Sequence, residues 1–322
     1  MNTAAVILGS SLLLGVAMPF VAMRMLMPSL EEGQRVENYR GRPLVYGLGI
    51  VWLLWAGAAI VEGFLARGLV MPTGTSSVSA LRFAGALALV GFALGVVDDA
   101  YGGSSSKGFR GHIGALLRGR LTTGGMKLLG ISLASFVVAL MISVSTPWDV
   151  GEAGSPEAGL LARIGVALVA GAAIALTSNF ANLVDLRPGR VLKVYTVLAL
   201  AGVVSTTLGF VPAIATAAGG GSLRLAVRAL DVLALAIFLL GPVFAVWRYD
   251  LGERAMLGDA GANPMGAVAG LFIVAGLPLW GVVLYFAVML ALNLASERIS
   301  FSGVIDSNGP LRWLDSLGRA RE

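Results

Sequence analysis

The feature that most restricts this chain is repeated nine times: an apolar window of membrane-crossing length, bounded by short polar segments. The windows run roughly from Ala4 to Met23, Val45 to Leu65, Phe83 to Val97, Met126 to Val144, Ile164 to Thr177, Val194 to Val211, Ala229 to Val246, Ala262 to Leu277 and Leu279 to Ala295. Hydrocarbon about 30 Å thick offers a backbone no water to bond with, so each window has to close its own hydrogen bonds as a helix. The expectation is an all-α, polytopic integral membrane protein with about nine or ten transmembrane helices. Composition agrees: 13% of the 322 residues are charged and mean hydropathy is +0.85, whereas soluble domains carry about 25% charge. The first window has no basic segment ahead of it, its charges beginning at Arg24, so it reads as a retained helix and not as a signal peptide. With no soluble insertion or fixed-period repeat, residues 1–322 read as one domain. Its end, residues 309–322, is a basic amphipathic tail whose Leu311, Trp313, Leu314 and Leu317 would lie along the inner interface.

The absence of cysteine excludes disulfides, thiolate nucleophiles and Cys-ligated metals, and a single histidine, His112, excludes histidine clusters. Lys and Arg exceed Asp and Glu by five. In a membrane protein such an excess reflects topology and anionic head groups, so nucleic acid is not an expected partner. With the N-terminus outside, eighteen of the 23 basic residues fall on the cytoplasmic side, leaving Arg67, Arg82, Arg163, Arg224 and Arg228 outside. That assignment, made from basic residues alone, brings Asp98, Asp99, Asp185 and Asp259 to the same cytoplasmic face. The last two windows are joined so tightly, at Gly276 to Pro278, that a hairpin or a broken helix is required.

Chemistry is concentrated at the ends of these windows. Asp98-Asp99 closes the third as GVVDDAYGG. An acidic pair there is costly to desolvate and opposes the helix dipole, so it calls for a compensating cation such as Mg²⁺, with one carboxylate on the ion or its waters and the other free for a proton. A solvated helix end is the plainer reading. The following loop carries Arg110, Arg118, Arg120 and Lys127 among glycines, a composition suited to clamping phosphates or to resting on anionic lipid; His112 reads as structural or solvated. After the fifth window, NFANLVD spaces Asn179, Asn182 and Asp185 along one helical face, where they would meet polar atoms of a ligand. MLGDAGANPMG sets Asp259 between Gly258 and Gly261, directly ahead of a long apolar helix.

In order, GVVDDAYG, GGMKLLG, TSNFANLVD and MLGDAGANPMG resemble the polyprenyl-phosphate N-acetylhexosamine-1-phosphate transferase family, over roughly Asn38 to Glu297. The resemblance implies transfer of a sugar-1-phosphate from a UDP-sugar to a polyprenyl phosphate in a cell membrane, with Mg²⁺ (or Mn²⁺) at a cytoplasmic active site and release of UMP. It further implies that Asp259 ligates the metal beside the diphosphate. Asp98 and Asp99 would bind or deprotonate the lipid phosphate and help to hold the metal. Lys127 would neutralise phosphate charge, and Asn182 and Asp185 would contact the nucleotide; Asn179, Arg110 and Arg298 complete the expected substrate-binding set. Direct attack by the lipid phosphate and a covalent aspartyl intermediate both remain open. Membrane lipids and a second copy of the chain, as a homodimer, are the other expected partners.

The chain departs from the family's pattern in three places. Leu186, Arg187 and Pro188 follow Asp185 where family members commonly have Gly and a second acid. Met256 stands where an aromatic often stacks on uracil. SERISFSGVID replaces the histidine-rich motif of the last cytoplasmic loop. The sugar and the base are therefore left open, a smaller HexNAc being expected over a pentapeptide substrate. Competing readings are an inactive homologue acting as a scaffold or regulator, a transporter, and an intramembrane aspartyl protease built on Asp250 and Asp259. The protease would need its aspartates on facing helices, and they are nine residues apart around one loop.

Overall fold

The computed structural model describes residues 3–70, 77–102, 108–143, 146, 148, 156–215 and 221–319. Most of the outer connectors expected at Thr146 to Gly159 and Ala217 to Leu223, together with Lys107, lie outside them. The chain begins with α1 (Thr3–Ser10) and α2 (Met18–Glu31), joined by a π-helical stretch, Ser11–Ala17, into one span. A hairpin of β1 (Arg35–Glu37) and β2 (Pro43–Tyr46) follows, then α3 (Ile50–Val70), α4 (Leu81–Tyr101), the short α5 (Gly108–Leu117), α6 (Thr123–Ile142), α7 (Pro156–Val184), α8 (Arg190–Ala215) and α9 (Gly221–Leu251). After β3 (Ala255–Met256) come α10 (Asp259–Gly276), α11 (Leu279–Ser296), α12 (Phe301–Ser307) and α13 (Gly309–Ser316).

The protein is thus an all-α, multi-pass membrane protein. Among the described residues eight helices are long and apolar enough to cross a membrane. The ninth expected window, Ala262 to Leu277, forms α10, as long as α11 but less apolar because it carries Asp259, Asn263, Pro264 and several glycines. Every residue from Ala260 to Gly276 is buried, with α4, α7 and α8 packed around the helix. A helix wrapped in protein has no lipid to meet, and its glycines and alanines let the neighbouring backbones come close. Hydroxyls tie it in: Ser178 Oγ donates to the Asn263 carbonyl, and Thr206 Oγ1 to that of Phe272, both at 2.8 Å. As the sequence required, α10 and α11 turn about Gly276 to Pro278.

A second packing centre joins α3, α8 and α9 through edge-to-face contacts. Trp52 meets Trp55 and Tyr195 with ring centroids 5.0 and 5.4 Å apart, and Trp55 meets Phe238 at 5.6 Å. Buried Trp55 Nε1 and Tyr195 hydroxyl groups donate to the carbonyls of Phe238 and Leu239 at 2.8 Å.

At the basic end the loops are knitted together. β2 pairs antiparallel with β1 and parallel with β3, so the first loop is fastened to the segment just before Asp259. Glu253, at φ 51°, turns its nearly buried carboxylate back onto Arg40 and Arg42 of that hairpin. On the other flank, Arg190 Nε and Nη2 each donate at 2.9 Å to the Asp315 carboxylate, which also pairs with Arg319 at 2.7 Å. Lys193 Nζ donates to the Asp315 carbonyl at 2.6 Å, and Arg187 pairs in bidentate fashion with Asp306. Helices α12 and α13 are thereby clasped under the α7–α8 loop, leaving Trp313 62% exposed.

Candidate active site

The centre forms where the C-terminal end of α4 meets the N-terminal ends of α6 and α10. Two aspartates at the end of α4 work against its dipole, and the fold answers by facing one of them onto the opposite pole of another helix. The Asp99 carboxylate accepts the backbone N–H groups of Asp259 and Ala260, each at 2.9 Å. It also accepts a hydrogen bond from the Tyr46 phenol. Asp99 therefore caps α10, which starts without a side-chain cap of its own. Gly258 permits this approach: its φ is +64°, and a Cβ there would overlap the Tyr46 hydroxyl and crowd the Asp99 carboxylate.

Asp98 faces a different partner. Its carboxylate lies 2.8 Å from Lys127 Nζ, which is at the same time in direct contact with the Asp259 carboxylate. The Asp98 and Asp259 carboxyls are also within hydrogen-bonding reach of one another. The three side chains, Asp98, Lys127 and Asp259, are 17%, 13% and 23% exposed, so the cluster is sheltered but open to water. Three carboxylates against one ammonium leave it short of positive charge.

Two cavities meet here. A chamber of about 700 Å³ is lined by Tyr46, Asp98, Asp99, Asp259, Arg120 and His112. Next to it, a pocket of about 470 Å³ is lined by Lys127 and the amides of Asn179, Asn182, Asn263 and Asn293. Gly108 and His112 belong to both walls. In the pocket, Asn182 Nδ2 donates to Asn263 Oδ1 at 3.2 Å and Asn179 Nδ2 to Asn293 Oδ1 at 2.6 Å. Asn263 Nδ2 is buried with no partner, a donor left for whatever fills the pocket. The ring of His112 has the structural bond expected of it, Nδ1 to Thr122 Oγ1 at 2.8 Å, at the cap of α6. It is also the partition between the two cavities.

The expected residues separate into groups. Asp98, Asp99, Asp259 and Lys127 converge, and Asn179 and Asn182 stand beside them. Asp185, half-buried at the start of the α7–α8 loop, lines neither cavity; burial, and then the charges of Asp250, Asp259 and Asp99, push its carboxyl well above the ordinary range. Arg298 is exposed beyond the end of α11 and lines neither cavity. Arg110 belongs to α5, but its side chain is outside the described residues. Asp250, the second aspartate of the protease reading, is buried and accepts the Gly189 N–H at 2.6 Å.

Tyr46, Asn263 and Asn293 were not among the expected residues. Asn263 follows Asp259 by one helical turn, and Asn293 is an amide in an apolar window; both are signals of a kind a sequence carries. Tyr46 has no such signal, because its place depends on the pairing of β2 with β3. Burial, and then the hydrogen bond to Asp99, push its phenol far above the ordinary range, so it stays a donor at any physiological pH.

Among the described residues no three His, Asp or Glu side chains surround one point as ligands. The site offers instead a pair, Asp98 and Asp259, already bridged by a cation, the Lys127 ammonium. Mg²⁺ is held by one or two carboxylates, with waters and substrate phosphates completing its shell, so this pair beside a roomy chamber fits it. Asp99, named with Asp259 as a ligand from the sequence, commits both oxygens to the amides of α10 and serves as a buttress.

No profile of a known protein family matches the chain, and no curated protein matches it.

Proposed function

We propose that this protein is a phosphoglycosyl transferase of a cell membrane. It moves a sugar-1-phosphate, of HexNAc type, from a nucleotide-sugar of the UDP class to a polyprenyl phosphate at the cytoplasmic face. The observation that carries this reading is the Asp98–Lys127–Asp259 cluster at the junction of an amide-lined pocket and a wider polar chamber. Such a junction suits a reaction between two phosphates that arrive from different sides. In the reaction an oxygen of the acceptor phosphate bonds to the sugar-bearing phosphorus of the donor. The bond from that phosphorus to the nucleoside monophosphate breaks, and the leaving group takes the electron pair.

Each side chain has a task in this scheme. Asn179, Asn182 and the unpartnered amide of Asn263 hold polar groups of the donor. Lys127 and Arg120 screen phosphate charge, so that two anions can approach in line. Asp98 and Asp259 would hold Mg²⁺, which when bound supplies charge neutralisation and orientation of the phosphates. Asp99 and Tyr46 fix the head of α10, and with it Asp259.

The test is transfer of labelled sugar-phosphate onto undecaprenyl phosphate by purified protein, across a panel of nucleotide-sugars with and without Mg²⁺. A lipid-linked product from one donor, lost on chelation and restored by Mg²⁺, is the expected result. Folded protein that makes no product from any donor would overturn the reading in favour of a catalytically silent scaffold.

A further inference from the structure

Far from the cluster, a carboxyl group stands inside the membrane. Glu62 lies on α3, within the span Ile50–Leu69, and is 0% exposed. It follows Ile50 by about 18 Å at the rise of a helix, so it sits deep in hydrocarbon about 30 Å thick, in the half away from the cluster. An ionisable group is costly there and by default points to function. Two hydroxyls of the first span meet it: Ser11 Oγ is 2.8 Å and Ser10 Oγ 3.0 Å from Glu62 Oε1. Oε2 is buried with no partner. The charged groups of the surrounding elements turn elsewhere. Residues 3–17 carry none. Arg82 of α4 donates to the Ser79 carbonyl and stacks on the Phe83 ring, and Asp231 of α9 accepts from Ser77. Arg67 is exposed on α3 itself, while Arg24, Glu31, Arg248, Asp250 and Asp259 lie toward the cluster end of α2, α9 and α10. The side chains of Arg224 and Arg228 are outside the described residues. Among those described, no cation pairs with Glu62.

The hydrogen bonds distinguish the two forms of this carboxyl. As a carboxylate, Glu62 would take both hydroxyls on one oxygen and leave the other bare, a charge with neither cation nor donor in an apolar interior. As an acid it closes a chain. Ser11 donates to Oε1, the acid proton on Oε1 goes to Ser10 Oγ, and Ser10 donates its own to the Val6 carbonyl at 2.9 Å. Only the neutral form uses every proton. The backbone is irregular at the same point: Ser11 opens the π-helical stretch, a feature concentrated at functional sites. Beyond it the span is seated on α9 by shape, with Gly15 and Gly241 so close that a Cβ on Gly241 would overlap the Gly15 carbonyl. The tie to Glu62 is chemical.

We propose that Glu62, Ser10 and Ser11 form a proton-binding site within the membrane that latches the first span to α3. With the proton bound, the span stays docked. When the proton passes to water, the bare carboxylate has to be hydrated, and the first span moves off α3 to admit the water. This latch answers to alkalinity and does not depend on the transfer reaction.

The test uses the full-length protein in lipid nanodiscs. Infrared spectra of wild type and Glu62→Gln are subtracted at about pH 7, where an ordinary carboxyl is ionised. A carboxylic-acid carbonyl band in the difference is expected; a carboxylate band would overturn the proposal. Spin labels on Leu13→Cys and Leu133→Cys, both exposed positions in a chain without cysteine, then follow the first span relative to α6. Between about pH 7 and about pH 10, the labelled protein is expected to pass from one narrow distance distribution to a longer or broader one. The same labels in Glu62→Gln, neutral at every pH, should keep the narrow distribution throughout. No change in the protein that retains Glu62, or an equal change in Glu62→Gln, would sink the latch. The series with Glu62 intact needs no variant there, so it decides the matter even if Glu62→Gln does not fold; failure of that neutral variant to fold would count against a neutral site.

Discussion

Around Arg190, cations and the Asp315 carboxylate are locked together out of water, with Arg190 and Asp315 side chains only 4% and 6% exposed. Around Lys127, two carboxylates meet one ammonium beside two open cavities, with a third carboxylate, Asp99, next to them on the head of α10. Both networks lie at the same end of the bundle and use the same chemical groups, yet they are built on opposite plans. In the clasp each charge is answered within the protein, and the answer is a fixed geometry for the α7–α8 loop and the tail. In the cluster the account is left open on the positive side, facing space that a ligand can enter. A sealed, balanced network contributes order; an unbalanced one facing a cavity is a binding site waiting for its counterion.

This contrast can be broken most decisively at Asp259. Asp259→Asn is expected to lower transfer by at least about 10³-fold, the scale of removing one preorganised group from a reaction centre, without lowering the Tm in detergent. A variant keeping a tenth of the turnover would show that the cluster is not the reacting centre. Arg190→Ala should do the reverse. Asp315 would stay buried without its partner, at a cost of about 3–5 kcal/mol, seen as a clear fall in Tm; the paired change Arg190→Met with Asp315→Leu should recover most of it. Equal Tm values for wild type and Arg190→Ala would refute a structural clasp.

Gly258→Ala sits between these extremes. Forcing a side chain into the left-handed region costs about 1–2 kcal/mol, and the added methyl displaces Tyr46 and Asp99, so both Tm and turnover should fall. The smallest effect is the response of the tail to acid. Burial pushes the Asp315 carboxyl up, but Arg190 and Arg319 outweigh it and hold the group below the ordinary carboxylate range. A carboxyl lowered in the folded state adds stability above its unfolded pKa of about 3.9, and that stability is lost as pH falls through the lower folded value. The tail should therefore stay docked at pH 5 to 7 and separate only below about pH 4. A fluorophore on Ser316→Cys, in a chain with no other cysteine, reads this directly; release near pH 6 would contradict the clasp.

Much of the cluster was legible in the sequence because its members announce themselves. Asp98, Asp99, Lys127 and Asp259 are charges at the ends of apolar windows, and the basic residues alone put those ends on one side. Their division of labour was not legible. That Asp99 caps α10 while Asp98 pairs with Lys127 depends on a rotation of about 100° between neighbouring helix positions and on which helix lies opposite each. The enclosure of α10 was hidden for a related reason. Alanine and glycine in α10 look membrane-facing in a list of residues, whereas small size is also what lets a helix be enclosed by others. Tyr46 lay furthest from view, since two short strands with no pattern of their own had to pair to bring it in.

That pairing has a consequence for how the protein is made. Val45 is registered against Ala255, so the strand that completes the sheet leaves the ribosome about 210 residues after its partner. At about 5–20 residues per second the hairpin waits roughly 10 to 40 s, through the insertion of most of the spans, with one edge unpaired. The head of α10, Asp259 included, can be set only when that late strand arrives. A nascent chain stalled before it would hold the seven earlier expected spans in the membrane and have no assembled centre, so the site is built late in synthesis.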